Sequence, residues 1–353
     1  YVNWDSRNTR VIGDNKKVMN LTLEQIRIDI IEKYEMLIKT NVVVTSKKIV
    51  DFYKNDSLIM NSIINVFVKH NTNMESLIGK QYKYGSYKNY KTTLKHISNY
   101  IQKEYNTKDI LLNKIDYDFV YNFSQYLLMK TKCNNNGMMK HIQRFKKVFN
   151  FCIKNKYILH NPLNEFRVSF KRTNRVYLLQ SELKALHDIK LSDSLNRIRD
   201  VFLFACYTGL SYTDISKLSA QNIKKGDDGF TWVYITRNKT NIPSNIPLLP
   251  NALFLMELYA IKSNGKTLFP IISNQKINKG LKAISLMCNF NKKLTFHSAR
   301  HTFATTVTLT NGVPIESVSK MLGHNNIKTT QIYARVIDSK VSQDMLILRQ
   351  KFM

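Results

Sequence analysis

The stretch Leu322-Gly323-His324-Asn325-Asn326-Ile327-Lys328-Thr329-Thr330-Gln331-Ile332-Tyr333-Ala334 decides how this chain is read, because it sets a histidine nine residues ahead of a tyrosine. Upstream of it stands a second cluster, His297-Ser298-Ala299-Arg300-His301. A tyrosine alone carries no message in a chain that has 19 of them. A tyrosine that follows a Gly-His turn and a His-x-x-Arg-His cluster brings a phenol, a guanidinium and imidazoles into one segment. A phenolate can attack phosphorus, a guanidinium can pair with two non-bridging oxygens, and imidazoles can steady charge and protons. That set can cut and rejoin a phosphodiester without metal or ATP.

The bulk composition agrees with a polyanionic partner. The chain has 353 residues, enough for two or three domains with cores of their own. It carries 54 Lys+Arg against 25 Asp+Glu, a formal net charge of +29. Folding gains nothing from self-repulsion of that size, so nucleic acid is the expected partner rather than a merely cationic, solvated surface. No apolar run is long enough to span a bilayer, and no signal segment opens the chain. Because the first residue is Tyr1 and not Met, further residues are expected ahead of it. The four cysteines, Cys133, Cys152, Cys206 and Cys288, lack paired short spacing, which argues against a disulfide framework or a zinc ribbon and for a reducing cytoplasm.

The chain reads as mainly α, with a small antiparallel β-sheet near the C-terminal end. Residues 1–55 form a small appendage: strand-like Tyr1 to Trp4 and Val11-Ile12, then a helix over roughly 22–39 with Ile26, Ile30 and Tyr34 at intervals of four. A second, short helix opens at Thr45. Residues 58–162 read as all helix. Ser86 is an expected N-cap for a stripe of Tyr90, Leu94, Ile97 and Ile101, with Lys88, Lys91 and Lys95 on another face. Asp116 caps a helix buried through Phe119, Phe123 and Leu127. Asn136 is expected to cap a third, with Met139, Ile142, Phe145, Phe149 and Cys152 inside and Lys140, Arg144 and Lys147 outside. One basic stripe is what any solvated helix shows. Two in one domain, with Tyr82, Tyr84 and Tyr87 among lysines, point to phosphate tracking. Residues 163–175, with Arg167, Lys171, Arg172 and Arg175, read as a basic linker that can lie along DNA. From 176 to 353 a buried helix over Ser194 to Thr208 stops at Gly209. A turn over Lys224 to Gly229 then leads into a strand from Phe230 to Thr236, and Asn238 to Asn241 form the loop before Ile246-Pro247-Leu248.

Attack on a phosphodiester needs a nucleophile, stabilisation of the charge that builds on phosphorus, and a proton for the leaving oxygen. Tyr333 is the candidate nucleophile and Arg300 the phosphate clamp, while His324 and His297 can bond the oxygens or the phenol. Lys239, in a hairpin loop, is the candidate acid for the 5′ oxygen. Duller readings stand beside these. His297 can simply cap a helix, and His297, His301 and His324 can be imagined around zinc, although Ser298 occupies the place where a hydrolytic His-Glu-x-x-His motif has its glutamate.

In the order and spacing of these residues the C-terminal half resembles the tyrosine recombinases, the phage-type integrases, whose His-x-x-Arg-His, Leu-Gly-His and following tyrosine it matches residue for residue. The resemblance implies that His297, Arg300, His324 and Tyr333 are catalytic and that Tyr333 forms a 3′-phosphotyrosyl link. It also implies that Lys239 is the family's β-hairpin lysine and that no cofactor is used. Residues 1–55 would then be a partial arm-binding domain, 58–162 a core-binding (SAM-like) domain and 176–353 the catalytic domain. The arrangement is most similar to integrases of Bacteroides-type conjugative and mobilisable transposons. Implied partners are double-stranded DNA at attachment sites, further copies of the chain as a tetramer on paired sites, and a host DNA-bending factor. The segment Ser339 to Phe352, with Val341, Met345 and Leu348, is the helix expected to dock on a neighbouring copy. A DNA invertase, a type IB topoisomerase or a DNA-binding regulator without catalysis are the alternatives. The last of these rests on one departure: where the family has an arginine after Thr-Gly-Leu, Thr208-Gly209-Leu210 is followed by Ser211, with the acidic neighbour present as Asp214. Loss of one charged donor would cost about 2–4 kcal/mol of transition-state stabilisation. Some of the transposon integrases share this serine, which implies activity. Arg199, Arg197 and Arg237 are the candidate substitutes. Arg199 is preferred because it lies on the element leading into Ser211, although along a straight helix it would sit ~18 Å away.

Overall fold

Residues 1–172 and 173–353 pack around separate cores. The computed structural model describes residues 3–38, 62–158, 160–171, 173–238, 240–260 and 267–333. It also describes residues 44–46, 49, 50, 53, 342, 345, 346, 348–350 and 352. Lys239 and Arg172 lie outside the described residues, as do most of the short helix expected from Thr45 and of the helix expected over 339–352.

The first unit opens with strands β1 (Asn3–Asp5) and β2 (Arg10–Ile12), paired antiparallel with Trp4 opposite Val11. Helix α1 (Lys16–Ile38) begins six residues before the expected start. Asn20 ties it to the hairpin by accepting from Val11 N at 2.7 Å and donating to Val11 O at 3.0 Å. Its expected apolar stripe is not covered among the described residues, since Ile30 and Tyr34 are exposed. Four helices follow, α2 (Ile63–Ser76), α3 (Tyr84–Tyr105), α4 (Tyr117–Lys130) and α5 (Asn135–Lys154). Their apolar stripes meet in one core around Phe67, Ile97, Ile101, Phe123, Phe145 and Phe149. Asp116 caps α4 by accepting from Phe119 N at 2.8 Å.

Two expected caps are corrected. Helix α3 starts at Tyr84, so Ser86 falls inside its first turn. At α5 the cap is Asn134, which accepts from Gly137 N at 2.9 Å. Asn136 is one residue inside the helix, and its amide instead pairs with the backbone of Lys171, donating to its carbonyl and accepting from its N–H, both at 2.9 Å. The packing also runs past 162, because Leu163 and Phe166 are buried in this core.

The second unit is built on α7 (Asp193–Thr208), which follows the short α6 (Gln180–Asp188). From Val201 to Thr208 every side chain of α7 is buried, which marks a central helix surrounded on all sides. It ends at Gly209, φ +69°, where a side chain would be strained and its Cβ would meet Phe303 Cδ1 at 2.5 Å. A single turn, α8 (Tyr212–Ile215), leads to an antiparallel sheet of order β3-β4-β5: Ile223–Lys225, Thr231–Thr236 and Pro243–Pro247. Lys224 and Lys225 thus belong to a strand, where the sequence reads as turn, because Trp232 and Thr231 pair with them. Val233 and Ile246 face each other across the register and fill the core.

Helices α9 (Pro250–Ala260) and α10 (Asn274–Met287) and the motif helix α11 (Phe296–Thr302) pack on α7. After α11 the chain widens into a π-helical turn over Phe303–Thr308. There Thr302 accepts from Leu178 N at 3.0 Å and Thr306 donates to Leu178 O, so the extended segment before α6 is bound to the back of the motif helix. The unit continues through α12 (Ile315–Met321) and α13 (Lys328–Gln331). Among the described residues no helix is long and apolar enough to cross a membrane.

Candidate active site

Four elements bring the motif residues together. Helix α11 carries Arg300, which is 5% exposed and points at the end of α12. Its Nη2 donates to Leu322 O at 2.5 Å and its Nη1 to Gly209 O at 2.8 Å. These carbonyls close α12 and α7, where unpaired C=O groups concentrate partial negative charge, so a buried guanidinium finds acceptors without a carboxylate. Nη2 also lies 2.9 Å from His324 Nε2. Arginine has no acceptor, so Nε2 must accept, and the ring proton sits on Nδ1, 2.8 Å from Thr330 Oγ1. The His324 ring in turn lies parallel to the Tyr333 ring, with centroids 6.1 Å apart. Tyr333 is buried at 5% exposure and held by its backbone, donating to Thr330 O and accepting from Thr305 Oγ1. An open groove of about 350 Å³ between Ile242, Pro243, Ser319 and Lys320 reaches His324.

The expected substitute for the missing arginine is corrected. Arg199 does not reach this cluster. Asp200 is buried and needs a counter-charge, and Arg199 supplies it through Nε and Nη2 at 2.9 Å, with Nη1 on Ile189 O. Arg197, the other candidate on α7, is exposed. The cation that does arrive is Arg237, where the chain leaves β4. It is 7% exposed, its Nε lies 3.2 Å from Asp214 Oδ2, and its Nη1 donates to Leu322 O at 3.3 Å. Arg237 and Arg300 therefore share one carbonyl. Ser211, by contrast, is the N-cap of α8 and donates its hydroxyl to Asp214 at 2.6 Å. Asp214 joins the two positions: it bonds the serine that stands where the family has its arginine, and it pairs with the arginine that has come from elsewhere.

Charge is concentrated here at low exposure. Burial lowers the Arg300 pKa to about 10, and the Arg237 charge adds to that, while Tyr333 and Asp214 beside it work the other way. Burial likewise lowers that of Arg237, opposed by Asp214 and Tyr333. Arg300 remains charged at neutral pH all the same. His301 is 3% exposed, and among the described residues neither of its ring nitrogens has a hydrogen-bond partner. Burial pushes its pKa down to about 3, with His297, Arg175 and Arg300 adding to the effect. Its ring lies 5.0 Å from that of Tyr333 and 4.7 Å from that of the exposed His297. The zinc reading finds no support here, since among the described residues the ligand atoms that do converge on one point belong to other side chains.

Of the expected DNA contacts, Lys88, Lys91, Lys95, Lys140 and Lys147 are exposed on α3 and α5. Arg144 is half-buried, its Nη1 donating to Thr93 Oγ1 at 3.4 Å. Thr330, which orients His324, and Leu322 O, which holds both arginines, lie within the motif stretch, where the sequence reading gives them no role. Arg237 stood among the sequence candidates, behind the preferred Arg199.

A helical unit is thus followed by an α+β unit in which Arg237, Arg300, His324 and Tyr333 come together, the equipment expected of an enzyme that breaks and rejoins DNA strands. Residues 177–340 match the phage integrase family and residues 62–168 the phage integrase SAM-like domain. The chain belongs to that family, the tyrosine recombinases, and is a site-specific DNA recombinase. It is 26% identical over 219 residues to a tyrosine recombinase of Pseudothermotoga lettingae, across 60% of this chain and 74% of that one. The fold is shared with a lambda integrase dimer bound to a COC′ core site (TM-score 0.64, 16% identity, 94% of this chain and 91% of that one). The same integrase is also known as a tetramer bound to a Holliday junction (TM-score 0.63, 14% identity, 94% and 91% covered). The Tn1549 transposon integrase in complex with transposon right end DNA has the fold too (TM-score 0.63, 14% identity, 82% and 99% covered).

Proposed function

We propose that this recombinase is the integrase of a mobile element, of the Bacteroides type of conjugative or mobilisable transposon, and that Tyr333 is its nucleophile. The observation that carries the assignment is the line Arg300–His324–Tyr333, in which a buried guanidinium bonds the imidazole that lies against the phenol. The phenol oxygen attacks phosphorus and the 5′ oxygen leaves with a proton from Lys239. The strand stays linked through its 3′ phosphate, and a second 5′ hydroxyl reverses the step. Arg300 and Arg237 donate to the non-bridging oxygens, His297 bonds those oxygens or takes the phenol proton, and His324, whose Nε2 lone pair is held by Arg300, steadies the charge beside them. Arg237 beside Asp214 removes the main support for a regulator without catalysis, because a second guanidinium is present despite Ser211.

Residues 1–55 serve as an arm-binding domain, 58–162 as a core-binding domain with Lys88, Lys91, Lys95, Lys140, Arg144 and Lys147 on phosphates, and 163–175, with Arg172, as a linker along DNA. The chain works in the cytoplasm, on attachment sites, as a tetramer on paired sites with a host DNA-bending factor. The lambda integrase tetramer on a Holliday junction supports that assembly.

Two guanidiniums and the histidines can supply the electrostatics for which nucleases recruit two divalent ions. Nicked duplexes recovered by binding selection from a randomised pool test the reading. Wild type is expected to form a denaturant-resistant protein–DNA adduct in EDTA, and Tyr333→Phe none. Adduct formation by the phenylalanine variant, or an absolute need for magnesium in cleavage, would refute it.

A further inference from the structure

We propose that His96, Cys133 and His141 form a zinc site that ties α3, α5 and the turn between α4 and α5 together. Nothing in the spacing of the cysteines suggests it, since its ligands come from three places in the chain. The fold brings one potential ligand atom from each within 4.8 Å of the others. Tetrahedral zinc, with bonds of about 2.0–2.3 Å, holds such atoms about 3.4–3.6 Å apart, so side-chain rotations of about 1 Å close the site. One thiolate and two imidazoles select zinc over magnesium or calcium, which take oxygen ligands.

One ligand is already prepared. Thr93 Oγ1 donates its proton to Asn89 O at 3.0 Å and lies 2.9 Å from His141 Nδ1. With the hydroxyl proton on Asn89 O, the Thr93 oxygen accepts from His141 Nδ1–H, the tautomer that leaves the Nε2 lone pair for a metal. This is how metal-bound histidines are commonly held, by a partner on the other ring nitrogen. His96 meets His141 edge to face, with ring centroids 4.8 Å apart. Cys133 is a free, half-buried thiol, placed by its backbone N–H on Thr131 Oγ1 at 3.2 Å. Binding would release the thiol proton to solvent, and the resulting thiolate would offset the repulsion between the ion and nearby Arg144. Helices α3 and α5 carry the two basic stripes, so the ion would fix the spacing of the surfaces proposed to track phosphate.

Cobalt(II) added to the metal-free full chain is the probe, because a thiolate–cobalt bond gives a charge-transfer band in the near ultraviolet. One equivalent is expected to bind with that band, and zinc to displace it while raising the melting temperature. Cys133→Ser should abolish the band, His96→Gln should weaken binding at least tenfold, and Cys288→Ser should leave both unchanged. No band, or a band that survives in Cys133→Ser, would overturn the site and leave the His96–His141 contact as packing. Circular dichroism of Cys133→Ser checks that it folds, and His96→Gln, altered at a partly exposed position, gives a second reading. The ion lies in the other unit from Tyr333, so EDTA would lower thermal stability without stopping strand cleavage.

Discussion

Ser211 donates its hydroxyl to Asp214 Oδ2, and Arg237 Nε lies 3.2 Å from the same oxygen. Asp214 thus holds the guanidinium of Arg237 beside the serine that occupies position 211. Arg237→Ala is expected to slow single-turnover cleavage by about 10²–10³-fold, the effect of removing one donor from a charged transition state. Arg199→Ala should leave the rate within a few-fold while destabilising the fold, because it strands the buried Asp200. The reverse ranking would mean that Arg199 moves into the site. The motif residues Arg300, His324 and Tyr333 were legible because their chemistry is carried by spacing along one short segment. Arg237 was harder to choose over Arg199, because what decides between them is a tertiary pairing, Arg199 with Asp200 and Arg237 with Asp214. His301 adds a pH dependence. With a folded pKa near 3 against an ordinary 6.5, it stays neutral in the fold while the unfolded chain takes up a proton. Stability conferred above pH 6.5 is therefore lost as pH falls toward 3. In urea titrations His301→Leu should flatten that acid slope by up to about 1.4 kcal/mol per pH unit, and an unchanged slope would show that His301 is already protonated in the fold.

The elements around the site meet at two glycines. Gly209 ends α7 and offers its carbonyl to Arg300, and Gly323, φ +59°, ends α12 with its Cα against the Arg237 side chain. A Cβ at 323 would stand 2.7 Å from Arg237 Cγ, a flexible neighbour that can give way, but giving way would displace the guanidinium. Gly323→Ala is thus expected to reduce cleavage at least tenfold with a loss of about 1 kcal/mol in stability. Gly209→Ala, facing the buried Phe303 and Leu322, should cost more stability, read as a larger drop in urea midpoint. Equal losses at the two positions would contradict the difference in their surroundings. Helix stripes and the glycine stop after α7 could be read from apolar period and residue type alone. The cap of α5 could not, because Cys133-Asn134-Asn135-Asn136 offers three equivalent side chains. The pairings of Asn135 with Ser169 O and of Asn136 with Lys171, 34 and 35 residues on, separate them from the capping Asn134. Strand β3 was hidden for a similar reason, since its lysines become a strand only through Trp232 and Thr231 opposite.

For the molecule as a whole, the formal charge of +29 is read as a phosphate-binding surface that includes α3 and α5. Replacing Lys88, Lys91 and Lys95 with alanine should weaken DNA binding and lower the log–log salt slope by about one unit per lost contact. An unchanged slope would reduce the stripe to a solvated face. Deleting residues 340–353 should spare binding to one site and abolish recombination between two, if the tail docks on a neighbouring copy. Recombination at the normal rate would leave it as packing on its own unit. All of this depends on a strand passing through one phenol. The direct measurement is to digest the trapped adduct with trypsin and locate the nucleotide by mass spectrometry. It should sit on Tyr333 and be joined through a 3′ phosphate. A nucleotide on any other residue, or one joined through its 5′ end, would contradict the mechanism.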